Sequence, residues 1–201
     1  MSGQASAASK MMFVDLKRCI GCNACSVACI QENNLQFGIA WNRVYGVEGD
    51  DYPKPDVRVL PMFCQHCSSA ACKLTCDNLG YRAIVQRADG IVYVDQSRCV
   101  GCQKCVPVCP FKAMFFNTET NKAEKCHYCM HRIDAGLAPA CVITCMGITR
   151  EFASPSELLA RHPHAAQMMR GNANALYENM GEKPMTERAT AGNPGASECH
   201  W

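Results

Sequence analysis

The chain has 201 residues and a formal charge of +2, which leaves room for one large or two small domains and gives no basic surplus of the kind that grips nucleic acid. Seventeen cysteines make up about 8% of it, near the level at which cysteine chemistry dictates the fold; setting them aside drops the apolar share from 48% to about 39%, thin for a self-sufficient core. The longest apolar runs, residues 141–148 and 11–14, fall far short of the roughly 18–20 residues of a membrane span, so any tie to a membrane falls to another subunit.

Residues 1–10 read as a flexible leader. A short strand at residues 12–14 delivers the chain to the first of four cysteine groups, Cys19, Cys22, Cys25 and Cys29, spaced C-x2-C-x2-C-x3-C. The long connection that follows, residues 31–63, contains Pro53, Pro55 and Pro61 and reads as an irregular insertion. The second group, Cys64, Cys67, Cys72 and Cys76, has a longer middle spacing. Beyond it, residues 83–86 and 91–95 flank Asp89-Gly90, a hairpin signal that sets the second and third groups side by side. The third group, Cys99, Cys102, Cys105 and Cys109, repeats the spacing of the first, and residues 113–116 form a strand after it.

The fourth group, Cys126, Cys129, Cys141 and Cys145, keeps the opening C-x2-C and closing C-x3-C around a stretched middle, so all four read as copies of one theme. A strand at residues 148–152 comes next. Ser154-Pro155-Ser156-Glu157 is then a capping box with proline at the first helical position, and Pro163 should end the short helix it starts. From His164 onward the many Ala, Gly, Asn and Met residues make a tail expected to lie along a partner.

Sixteen cysteines in groups of four point to four iron–sulfur clusters. Three closely spaced thiolates reach three irons of a cubane, and the fourth cysteine of such a run usually serves a neighbouring cluster. A disulfide-rich secreted protein is the first rival. No apolar signal segment stands at the start, and the two cysteines of a C-x2-C pair are poorly placed to bridge each other. Zinc is the second, but a third cysteine at C-x2-C-x2-C is surplus to its two-plus-two arrangement. Four clusters of about −2 each would bring the loaded protein to about −6, and their coordination should supply much of the folding free energy, leaving the apo-protein largely unfolded.

With the second and third groups joined by the hairpin, the first and fourth remain to pair, through strands before Cys19 and after Cys145. Sequential pairing, first with second, is the alternative; the proline-bearing connection at residues 31–63 weakens it. The nested reading gives an α+β fold of two ferredoxin-like 2[4Fe–4S] modules, one inserted in the other, with a C-terminal helix and extended tail. Residues 11–63 and 110–152 form the outer module, residues 64–109 the inserted one, and residues 153–201 the helix and partner-docking tail.

The run Cys99-Val100-Gly101-Cys102-Gln103-Lys104-Cys105-Val106-Pro107-Val108-Cys109-Pro110, with Cys126-His127-Tyr128-Cys129 opening the fourth group, resembles the four-cluster iron–sulfur subunit of the dimethyl sulfoxide reductase type over residues 12–161. The resemblance implies four ligand sets. One cluster takes Cys19, Cys22, Cys25 and Cys145; a second takes Cys29, Cys126, Cys129 and Cys141; a third takes Cys64, Cys67, Cys72 and Cys109; a fourth takes Cys76, Cys99, Cys102 and Cys105. Members with tryptophan at the position of Cys102 carry a three-iron cluster there, so cysteine implies four cubanes. Asp77 and Met146 depart from the family by replacing the proline that commonly follows a closing cysteine.

The resemblance further implies a non-catalytic, electron-transferring subunit that stands between a molybdopterin-containing catalytic subunit and a quinone-linked membrane anchor in anaerobic respiration. It implies a place at the cytoplasmic membrane through those partners, on the periplasmic face by co-export with a signal-bearing partner in preference to the cytoplasmic one. A ferredoxin-like subunit of a hydrogenase or carbon monoxide dehydrogenase, and a structural zinc module, are the alternatives. The sequence carries no nucleotide-binding glycine loop, nucleophile elbow or HExxH pair, so catalysis belongs to a partner.

Cations near ligand cysteines favour the reduced, more negative cluster and so raise its potential. Lys17, Arg18, Lys73, Arg98, Lys104, Lys112 and Lys125 lie close in sequence, with Arg18, Arg98, Lys104 and Lys125 the foremost tuning candidates. His66 and His127 are expected to hydrogen-bond or face solvent without ligating. Met114, Met130 and Met146 are expected to pack near the clusters, and Cys199 to be a free thiol.

Overall fold

In the computed structural model, residues 9–48, 57–167 and 173–179 are described. The elements in chain order are β1 (Met11–Asp15), α1 (Ala24–Glu32), β2 (Arg43–Glu48), β3 (Val57–Met62), α2 (Ala71–Asn78), β4 (Ile84–Gln86), β5 (Val92–Val94), β6 (Phe115–Asn117), β7 (Lys122–Glu124), α3 (Met130–Asp134), α4 (Ala140–Ile143), β8 (Arg150–Ala153), α5 (Pro155–Arg161), β9 (Ala166–Gln167) and β10 (Leu176–Glu178). Mixed helix and strand content, with short helices set between short strands, is that of a ferredoxin-like α+β fold.

Strand β1 reads as an unbroken apolar run because both its faces are covered. Alternation sends Met12 and Val14 into the main core with Leu60, Phe63, Tyr128 and Tyr177, while Met11 and Phe13 face Leu158 of α5 and Leu176 of β10. On one edge β1 pairs antiparallel with β8, Met11 opposite Ala153 and Val14 opposite Arg150. On the other it pairs parallel with β10, Phe13 opposite Leu176, in a sheet ordered β8-β1-β10-β9. Three two-stranded hairpins complete the strands: β2–β3, β4–β5 and β6–β7.

Local signals explain several of these elements. The β4–β5 turn runs through Gly90 at φ +88°, with Asp89 Oδ1 accepting from the Ile91 N–H at 3.1 Å. Helix α5 carries its full capping box: the Glu157 N–H donates to Ser154 Oγ at 3.3 Å, and the Ser154 N–H donates to Glu157 Oε2 at 3.0 Å. His162 ends it, one residue before Pro163, and stacks on Phe13 with ring centroids 3.7 Å apart.

Two segments differ from the sequence expectation. Residues 31–63, which read as irregular, contain the β2–β3 ribbon, with six residue pairs from Arg43 opposite Met62 to Glu48 opposite Val57. Pro61 is tolerated because each strand of a two-stranded ribbon has an open edge where no N–H is required; Pro53 and Pro55 lie outside the described residues. The tail reads as a partner-docking segment, yet residues 173–179 return to this chain's own sheet, burying Ala173, Ala175, Leu176 and Tyr177. The rest of the tail from residue 180, with Cys199, and the leader at residues 1–8 lie outside the described residues.

Hairpin β6–β7, assigned to the outer module, packs in both directions. Ala123 joins the core cluster of Ile84, Val92 and Cys105 and accepts from Gln96 Nε2 at 2.9 Å, while Gln36 reaches Thr118 Oγ1 at 2.8 Å from the other side. The cysteines belong to the core itself. Cys64 sits within the main cluster with Cys67, Cys109, Cys126 and Cys141 against it, and Cys72, Cys76 and Cys105 sit within the second.

Candidate metal centres

Four cavities of about 310 to 360 Å³, each partly open to solvent, are lined by four cysteines apiece. The first brings together Cys19, Cys22, Cys25 and Cys145, and the second Cys29, Cys126, Cys129 and Cys141. The third brings together Cys64, Cys67, Cys72 and Cys109, and the fourth Cys76, Cys99, Cys102 and Cys105. In every case three cysteines come from one group and the fourth from another, reciprocally between first and fourth groups and between second and third. All sixteen are unbridged thiols. Among the described residues no three His, Cys, Asp or Glu side chains converge on a point as a single-ion site does; the thiols stand around spaces, the disposition a polyatomic core needs.

The closing C-x3-C of each group divides its cysteines between neighbouring cavities. Helix α1 sends Cys25 to the first and Cys29 to the second, and α2 sends Cys72 to the third and Cys76 to the fourth. Four residues of helix rise about 6 Å, so one helical turn sets the interval between adjacent sites. The opening loops recur in backbone as well as spacing. Gly21 and Gly101 stand at φ +71° and +73°, and Asn23 and Gln103 at +57° and +59°. His66 and Tyr128, at the same place in the second and fourth groups, both have positive φ and stack on each other at 3.7 Å across the gap between the second and third cavities.

Backbone and side-chain donors turn toward the sulfurs. N–H groups of His66 and Tyr128 lie 3.4 Å from Sγ of Cys64 and Cys126, those of Ala113 and Thr149 lie 3.4 Å from Cys109 and Cys145, and Ala83 N–H lies 3.2 Å from Cys76. Asn33 Nδ2 sits 3.7 Å from Cys29 Sγ and 3.8 Å from Cys129 Sγ, two thiols of one cavity. Thr149 Oγ1 is 3.2 Å from Cys145 Sγ.

Burial pushes several of these thiols up. Cys67 and Cys105 rise to about 12 and Cys72 and Cys141 to about 11, with neighbouring thiols adding to the shift. Cys29 and Cys126 are pushed up by the same causes. Cys145 runs the other way: burial is outweighed by the Thr149 hydroxyl and N–H and by Arg150. Thiols this crowded ionise together only around compensating positive charge, and soft thiolates are the donors that iron–sulfur cores take. The donor sets therefore fit such cores. Shared elements also order the cavities: α1 joins first to second, the His66–Tyr128 stack second to third, and α2 third to fourth.

Arg18, Arg98 and Lys104 are exposed, as are Lys17 and Lys112. Lys73 pairs with Asp77 on the surface of α2. Lys125 is 3% exposed, lines the third cavity, and donates through Nζ to the carbonyls of Val92 and Cys126. His66 Nδ1 accepts from the Val92 N–H at 3.0 Å, and His127 Nδ1 accepts from the Met130 N–H at 3.1 Å. Burial, then Lys125, holds the His66 imidazole well below its usual value and brings that of His127 down to about 4. Met114 lines the third cavity, Met130 opens α3, and Met146 is 73% exposed.

Sequence reasoning passes over Arg150, Asn33 and Asn42. Arg150 is legible in principle: strand alternation against β1 places it on the face of Val14, which is the core face.

Thiols exchanged between paired cavities on short strand–loop–helix units define an iron–sulfur protein of the ferredoxin-like class. Residues 55–154 match the 4Fe-4S dicluster domain family. The chain is 40% identical to a tetrathionate reductase subunit of Salmonella typhimurium, over 82% of this chain and 64% of that one. It is 39% identical to the thiosulfate reductase electron transfer subunit PhsB of Salmonella typhi, over 67% of this chain and 70% of that one. Against the nitrate-inducible formate dehydrogenase iron-sulfur subunit of Escherichia coli it is 32% identical, over 73% of this chain and 55% of that one. It thus spans just under two thirds of the tetrathionate reductase subunit's length. The chain belongs to the family of iron–sulfur electron-transfer subunits of dimethyl sulfoxide reductase type, whose cofactors are [4Fe–4S] clusters.

Proposed function

We propose that this chain relays single electrons through four [4Fe–4S] clusters between a molybdopterin catalytic subunit and a quinone-linked membrane subunit in anaerobic respiration. One observation carries the reading: four cavities in series, each bounded by four thiols drawn from two cysteine groups. Such clusters, once bound, each take up and release one electron. The four ligand sets are those of the four cavities, and the two modules nest, with residues 64–109 inside the outer one. Pairing of β1 with β8 around the β4–β5 hairpin supports that nesting.

The chain's own groups would do three things. Thiolates hold the irons, N–H groups and Asn33 stabilise charge on sulfur, and Lys125 contributes a buried positive charge beside the third and second sites. Arg18, Arg98 and Lys104 act through water and tune weakly.

Access at both ends supports two partners. Cys22 and Cys102, the middle cysteines of the two tight runs, are exposed. Beside the first cavity stand exposed Ile20, Met146 and Ile148; beside the fourth stand Val100, Leu79 and Tyr81. No helix among the described residues is long and apolar enough to cross a membrane. We place the chain at the membrane through its partners, on the periplasmic side by co-export.

The test is anaerobic isolation of the complex with iron and labile sulfide counted per chain. About sixteen of each is the expected result, whereas about eight would leave only one module loaded and overturn the four-cluster relay.

A further inference from the structure

Arg150 is 3% exposed, and among the described residues no carboxylate pairs with it. A buried guanidinium without a counter-charge is costly, so the compensating negative charge has to come from what surrounds it. Its Nη2 lies 3.5 Å from Cys25 Sγ, a thiol of the first cavity, and 3.1 Å from Asn42 Oδ1. Asn42 itself lines the second cavity, as does Phe63, so the guanidinium stands against the wall of that cavity as well. Phe63 fixes it from another side, with its ring centroid 5.2 Å from the guanidinium carbon. Nη1 is buried and meets no protein acceptor.

We infer that Arg150 is a positioning residue that couples the first two clusters electrostatically, with those two anionic units as its missing counter-charge. The inference rests on the four-cluster reading. Each loaded site carries a charge of about −2 when oxidised and one unit more when reduced, so two adjacent reduced sites repel. A fixed cation that touches a ligand of the first and stands at the wall of the second lowers that repulsion and raises both potentials together. When one electron passes from the first site to the second, their charges change by equal and opposite units, and the guanidinium keeps its proton throughout. Lys125 differs in kind, since its ammonium is bound to backbone carbonyls.

The experiment is a redox titration followed by electron paramagnetic resonance on the anaerobically purified complex, with Arg150→Gln and Arg150→Lys beside the unaltered protein. Arg150→Gln should lower the reduction equilibrium of the first and second clusters by at least about tenfold, about 59 mV for one electron, and leave the other two in place. Arg150→Lys should restore more than half of that shift. Where Arg150→Gln fails to retain full iron, Asn42→Ala, which loosens the guanidinium and keeps its charge, is titrated with Arg150→Lys, and both should displace the same two clusters by less. Unchanged potentials in iron-replete variants, equal shifts of all four clusters, or lysine behaving as glutamine would each overturn the inference. Failure of the four-cluster reading shows separately, as missing iron in the unaltered protein.

Discussion

The inner and outer cavities share the opening C-x2-C, the closing C-x3-C and a positive φ inside the opening pair, yet differ in how far water reaches them. Around the second cavity Cys29 and Cys129 are buried beneath Trp41, Tyr128 and Phe63, and around the third Cys64 and Cys72 are buried beside His66 and Met114. The first and fourth cavities each leave one cysteine, Cys22 or Cys102, in solvent. A repeated local code therefore fixes how thiols are presented, while the aromatic and aliphatic residues packed above decide the dielectric. Charge matters most where water is excluded, so the interior should respond strongly to substitutions that the ends absorb.

Thiol removal breaks the comparison most severely. Cys126→Ala should abolish accumulation of soluble, iron-loaded protein, because the site is buried and coordination supplies folding free energy, whereas Cys102→Ser should leave a folded chain with the other three sites filled; iron per chain and near-ultraviolet circular dichroism distinguish the two. Between the ends, the two loop glycines separate backbone contact from side-chain contact. A Cβ at Gly101 would collide with the Asn121 carbonyl, while one at Gly21 meets Val59 Cγ2 at 3.3 Å. Both alanine variants carry left-handed strain of order 1–3 kcal/mol, so Gly101→Ala should cost more thermal stability than Gly21→Ala and loosen the fourth site, read as Tm and iron content.

Among cations the contrast is one of burial. Lys125→Met should lower the potential of the third and second clusters clearly, and Lys104→Met should move the fourth by little, with the difference narrowing only slightly in high salt because Lys125 is shielded from it. The smallest expected effect concerns Glu32, whose carboxyl is held below the usual range by a hydrogen bond from His131 and by Arg132. A depressed folded value means stabilisation present above about pH 4.5 and lost as pH falls through the lower value. Glu32→Gln should therefore drop Tm slightly at pH 7, and the difference should vanish in acid and in strong salt.

Much of this architecture is legible in the sequence because its signals are local. Asp89-Gly90 and the Ser154 box act within four residues of themselves, and cysteine spacing reports loop geometry directly. What escapes depends on contacts between distant segments. Strand β10 exists because Leu176 and Tyr177 find an open edge of β1, which nothing near them in sequence announces. The β2–β3 ribbon is obscured by prolines that an open edge accepts. Arg18, Arg98, Lys104 and Lys125 are equal as letters, and only packing separates the last from the rest. Arg150 is hidden within a plausible strand until register turns it inward.

The division of each closing cysteine pair between neighbouring cavities has a bearing on biosynthesis. During vectorial synthesis the first site waits for Cys145 and the second for Cys141, both close to the far end of the cysteine-bearing region, whereas the third and fourth need nothing beyond Cys109. Maturation can thus begin from the middle of the cysteine-bearing region outward, with the N-terminal thiols kept reduced and unfilled until Cys141 and Cys145 have been made.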